Sequence, residues 1–111
     1  MKDLNIVNLT GNLTRDVEMR YTPSGESVAT FGIAVNRSFK NSAGEYEADF
    51  IDCVTWKKLA ELCSQYLAKG SKVLVSGRLQ TRNYETTEGQ RRKAWEVVAE
   101  DIKFLSKKQE E

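Results

Sequence analysis

Only one stretch of the chain has a helical period, and it is set among long alternating segments that carry glycines in their interiors. In KKLAELCSQYLAKG, residues 57–70, Leu59, Leu62, Cys63, Tyr66 and Leu67 recur at i, i+3, i+4, i+7 and i+8, one apolar stripe. Lys69 falls in the last turn and Gly70 where a C-terminal cap belongs. Ahead of it, residues 4–14 keep Val7, Leu9 and Leu13 on one parity with Gly11 between them, which suggests a bend. Residues 17–21 are a short extended piece before the turn TPSGES. Residues 28–39 put Ala29, Phe31, Ile33 and Val35 on one face, a polar loop spans 40–47, and ADFIDCVTWKK (48–58) is the third strand. After the helix, residues 71–85 align Val73, Val75, Gly77 and Leu79, a polar loop spans 86–93, and 94–105 is the last strand.

The order strand, strand, strand, helix, strand, strand, with glycines at 11, 32 and 77, predicts an all-β fold. Long bent strands around one helix suit a five-stranded Greek-key barrel of the OB-fold type, with the helix between the third and fourth strands. The helix would plug one end of the barrel with its Leu59, Leu62 and Tyr66 stripe. A curled sheet with a helix packed on it is the alternative. A chain of 111 residues suits one domain, assigned to 1–106, with 107–111 a short polar end. No apolar run or leader-like segment is apparent, so no membrane partner and a cytoplasmic location are expected.

Two cysteines and no histidine exclude, within one chain, zinc sites built from four cysteines or from two cysteines and two histidines, and a Ser-His-Asp triad. Asp49 and Asp52, three apart on a strand, point to opposite faces, which disfavours a paired-carboxylate site. No nucleophile with a base is visible, and no phosphate-cradling glycine motif. The chain is therefore expected to have no catalytic residues, no metal and no cofactor, and not to be an enzyme. A nuclease on this fold would need a carboxylate cluster.

A net charge of only +1 leaves the partner to be read from distribution. The third strand raises the question most sharply. Ile51 and Cys53 share one face, while Phe50 and Trp56 share the other with Asp52. On the fourth strand, Arg78, Arg82 and Tyr84 share the face opposite Val73 and Val75. Arg37 and Lys40 flank Phe39, Lys57 and Lys58 follow Trp56, and Arg91 and Arg92 close the second loop. The acids fall mostly elsewhere, Glu85, Glu88 and Glu96 among them. Each aromatic taken singly reads as core and each cation as solvated surface. Their repeated pairing points instead to a surface that attracts phosphates and stacks bases of any identity.

Three runs carry a family resemblance across about residues 5–105: NLTGNLTRDVEMRYTPSGESVATFGIAVNRSF, WKKLAELCSQYLAKGSKVLVSGRLQTRNY, and GQ followed by EVV. Over these the chain resembles the bacterial-type single-stranded DNA-binding protein family. The resemblance implies a homotetramer that binds single-stranded DNA with little sequence preference and protects it in replication, recombination and repair. It implies base stacking on Phe39, Phe50, Trp56 and Tyr84. Phosphate contacts would come from Arg37, Lys40, Lys57, Lys58, Lys72, Arg78, Arg82, Arg91 and Arg92. The strand around Asn5–Leu9 corresponds to the family's dimer-forming edge. Asp52 is an acid between two proposed stacking rings, and Phe39 and Tyr84 stand where larger indoles are usual. The family usually continues into a linker and an acidic tip, and this sequence stops at Glu111, so binding without tail-mediated recruitment is expected. The alternative reading is an OB-fold protein-interaction or accessory replication module that uses the aromatics as an interface.

Overall fold

The structure, a computed structural model, describes residues 2–106, so the polar end at 107–111 lies outside the described residues. Six strands and one helix follow in the order β1 (Val7–Leu13), β2 (Glu18–Tyr21), β3 (Ser27–Lys40), β4 (Tyr46–Trp56), α1 (Lys57–Tyr66), β5 (Lys72–Glu85) and β6 (Arg91–Phe104). Five of them, β1, β3, β4, β5 and β6, close into a barrel, as the alternation and glycines predict. The short segment before Pro23 adds β2 to the edge of β3, pairing Glu18–Tyr21 with Ser27–Thr30.

Closure rests on two joints. β1 pairs with β5 from Val7 to Asn12, then passes to β3 at Asn12 and Leu13, so one strand serves two neighbours across its bend. β4 and β6 then meet in parallel at Cys53↔Val97 and Val54↔Val98. The Thr55 hydroxyl, buried, donates to the Ala99 carbonyl at 3.0 Å and ties the same seam. Gly77 sits where β6 bulges, and a Cβ there would come within 1.9 Å of the Val98 carbonyl oxygen. Only glycine lets the two backbones approach this closely.

Phe31 and Ile33 from β3, Cys53 from β4, Val73 and Val75 from β5, and Val97 from β6 fill the interior. Burial pushes both thiols, Cys53 and Cys63, up to about 12. They are small core hydrophobes rather than reactive groups. Leu79 departs from its expected place. It shares the parity of Val73 and Val75 but is exposed, because the pairing of β5 with β1 ends at Gly77, although its β6 partner Val97 is still in the core.

The helix also differs from its pattern. Ala60 and Cys63 are its fully buried residues, with Leu59 partly buried and Leu67 buried just beyond its end. Tyr66 is half exposed and lies against Phe104, ring centroids 6.1 Å apart. Small residues let the helix sit close on the barrel, and of the expected stripe Leu62 is partly buried while Tyr66 turns outward. α1 stops at Tyr66, with Leu67 extended, so neither Lys69 nor Gly70 belongs to its last turn. The Leu67 amide closes the helix by donating to the Cys63 carbonyl, and beyond it the Ser71 hydroxyl accepts from the Ala68 amide and the Asp16 carboxylate from the Lys69 amide.

β3 and β4 extend beyond the barrel as one hairpin, β5 and β6 as another. β6 begins at Arg91, so Arg91 and Arg92 stand on a strand opposite Glu85 and Tyr84 rather than in a loop. Among the described residues no helix is long and apolar enough to cross a membrane.

Candidate nucleic-acid interface

β4 runs unbroken from Tyr46 to Trp56, so side-chain parity separates its two faces, while its pairing with β3 shifts register between Asn36 and Lys40. Inside the barrel it sends Cys53 into the core. Outside, its middle is also covered: Val54 packs with Val28 and Val98 in a small second cluster. The aromatics at either side of that cluster stay open, Phe50 at 76% exposure and Trp56 at 41%. Both faces of the strand are therefore partly dry, and the two rings mark the ends of the covered stretch on the outer face.

A groove of about 520 Å³ lies over this cluster, with Trp56, Arg82, Glu96 and Asp52 on its walls. Arg15 and Arg20 also line it. Sequence reasoning missed both, although Arg20 stands directly before the exposed Tyr21: only the pairing of β2 with β3 and the reach of Arg15 to Asp52 bring them beside β4. Arg15 reaches Asp52 at 3.8 Å. It crosses above Gly32, where a Cβ would meet its Nη1 at 2.8 Å. The acid between Phe50 and Trp56 thus has a cationic partner in the groove wall.

Trp56 closes β4 and caps α1 without a side-chain hydrogen bond. Lys57 follows with φ of 59°, a left-handed conformation uncommon outside glycine, and the Ser27 hydroxyl donates to its carbonyl at 3.1 Å. The helix has no acid in its first turn, and opens on Lys57 and Lys58, both exposed. Two cations at the positive end of a helix disfavour the helix but raise the attraction for an anion beside Trp56.

Along the outer face of the β5–β6 hairpin, Arg78, Gln80, Glu96 and Arg82 form a chain. Arg78 donates to Gln80 at 3.2 Å, Gln80 donates to Glu96 at 3.1 Å, and Arg82 approaches Glu96 at 3.5 Å. Glu96 therefore lies among the cations, not apart from them as its position in the sequence suggests. The Arg82 guanidinium also lies 5.6 Å from the centre of the Tyr84 ring. Arg92 stands opposite Tyr84 and donates to Gln90, and Arg91 borders a shallow depression beside the same ring.

The structure separates other expected contacts from this cluster. Arg37 lies on the opposite face of the β3–β4 hairpin from Phe50. Its guanidinium donates to Asp49 at 2.9 and 3.2 Å and to Glu47 at 2.9 Å. The hydrogen bond with Arg37 holds the Asp49 carboxyl below its ordinary value and raises that of Arg37. Lys72 is at the far end of β5, roughly 33 Å from Arg82 along an extended strand. Phe39 and Lys40 are exposed at the end of β3, near the hairpin tip.

The whole chain has close relatives. The model of the single-strand binding protein family matches residues 4–105. The chain is 58% identical over 105 residues to the single-stranded DNA-binding protein A of Bacillus subtilis, covering 95% of this chain and 61% of that protein. It is 57% identical over 106 residues to the single-stranded DNA-binding protein 3 of Listeria innocua, covering 96% and 66%. With the single-stranded DNA-binding protein 1 of Streptococcus agalactiae it shares 55% over 102 residues, covering 92% and 63%. The chain thus spans about three fifths to two thirds of the length of these curated relatives.

Proposed function

Because the chain belongs to the single-strand binding protein family, we propose that it binds single-stranded DNA without reading sequence and protects it in replication, recombination and repair. The observation that carries this is the outer face of the barrel. Phe50 and Trp56 are open there, and Trp56 lines a groove together with Arg15, Arg20 and Arg82. Aromatic faces accept any base, and cations attract the backbone that all sequences share. Tyr84, with Arg82 and Arg92 beside it, continues the surface onto the β5–β6 hairpin. Lys40, Lys57, Lys58 and Arg91 add charge at its margins, and Phe39 adds a ring. Lys72 and Arg37 are weaker candidates, one remote and one already engaged by two carboxylates.

Binding rather than catalysis is the role, in the cytoplasm with the nucleoid. Assembly as a homotetramer fits the edge of β1. Val7–Thr10 pair with β5 on one side only, and Leu4 and Ile6 just before them are exposed. An apolar, half-paired edge invites pairing with another strand.

Titration with oligo-dT tests the reading. A Trp95→Phe variant leaves Trp56 as the only indole, and its fluorescence should be quenched as bases stack. The logarithm of affinity should fall with the logarithm of salt, with a slope near −0.7 for each phosphate neutralised. Absence of both quenching and binding at low salt would sink the proposal.

Asp52 supplies a second check. Asp52→Lys replaces an anion with a cation on the groove wall, and should tighten oligo-dT binding and steepen the salt dependence. Weaker binding would mean that the Arg15–Asp52 pair holds Arg15 where DNA needs it.

A further inference from the structure

We propose that Tyr46 and Lys40, at the tip of the β3–β4 hairpin, form an additional nucleotide site: a base stacks on the open face of Tyr46 and its phosphate is held by Lys40. The inference rests on the reading of the outer face as a single-stranded DNA surface and extends that surface beyond Phe50.

Tyr46 opens β4, and regular alternation places it on the same face as Phe50 and Trp56. The three rings form one row, with Tyr46 about 13 Å from Phe50 and Phe50 about 20 Å from Trp56 along an extended strand. Tyr46 is 61% exposed, so core packing does not account for it. Lys40 is its cross-strand partner, and the ammonium lies 5.6 Å from the ring centre. A cation on one side of an exposed ring leaves the other side for a base, and holds a charge within reach of that base's phosphate.

Of the hairpin's acids, only Glu45 stands exposed in the turn beside Tyr46. Glu47 and Asp49 alternate onto the other face, where Arg37 holds both. The tip is also ordered in advance. The Asn41 side chain accepts from the Ala43 and Glu45 amides, and the Asn41 amide donates to the Glu45 carbonyl. A ring already fixed in place loses little freedom when a base stacks on it. Residues 40–47 read in sequence as a polar loop, which hid this tyrosine.

The test uses the full chain and oligo-dT. Tyr46→Ala should weaken binding at least about fivefold, the lower end of what one stacked base contributes. Tyr46→Phe should stay within about twofold of wild type, because the ring and not the hydroxyl carries the contact. Tyr46→Trp in a Trp56→Phe, Trp95→Phe background should bind and be quenched. Lys40→Gln should make the salt slope shallower by about 0.7.

Unchanged affinity in Tyr46→Ala, with normal quenching of Trp56, overturns this site and leaves the wider reading standing. Absence of both Trp56 quenching and binding at low salt in the otherwise intact protein overturns the wider reading itself. A change in sedimentation mass for Tyr46→Ala without a change in affinity would place the ring at a subunit contact, and would equally overturn the proposal.

Discussion

Replacing Phe50 and Trp56 together with alanine is expected to weaken oligo-dT binding at least about 30-fold, roughly 2 kcal/mol. Each stacked base contributes about 1–3 kcal/mol. The two rings stand about 20 Å apart on one strand, far enough for their effects to add. Both are exposed, and neither belongs to the buried clusters, so the thermal midpoint should change little. The salt slope should also hold, because the cations that meet phosphate are untouched. Weak binding with an unaltered salt slope is the signature of lost stacking. Wild-type affinity in the double variant would remove β4 from the site altogether.

The second large effect concerns the frame that holds those rings. Gly77→Ala puts a methyl group 1.9 Å from the Val98 carbonyl oxygen, and the opposing atom belongs to backbone that cannot rotate away. Either β5 must separate from β6 at the bulge or the barrel must widen. The expected destabilisation is about 3 kcal/mol, at the upper end of overpacking costs. Urea unfolding monitored by circular dichroism measures it. A midpoint equal to wild type would show that the barrel closes without this close approach. Because Val98 packs against Val28 and Val54, which line the groove, surviving protein should bind oligo-dT less well.

Much of the fold is legible in the residues. Phe31 and Ile33, Val73 and Val75, and Cys53 all fall on the buried parity that alternation assigns them, since a strand's period of two leaves little freedom once one face is dry. The single helix stands between the third and fourth barrel strands for a similar reason. Its limits and its buried seam do not follow from the pattern. They depend on Asp16 and Ser71, which hold the chain just beyond its end, and on how closely Ala60 and Cys63 let it approach the barrel.

The candidate site divides in the same way. Alternation alone places Phe50 and Trp56 on one side of ADFIDCVTWKK, because side chains two apart must share a face. Where the surrounding acids lie is a tertiary matter. Arg15 comes to Asp52 from 37 residues away in sequence, and Glu96 comes to Arg82 across the β5–β6 hairpin. Arg37 is taken up by Glu47 and Asp49 through the pairing of β3 with β4. The chain by itself determined the alternation, the glycines that permit closure, and the supply of rings and cations, all of which are local properties of the residues. Only closure of the barrel decided which face of each strand stays wet and which cations already have partners, because burial and charge pairing arise between segments that are distant along the chain.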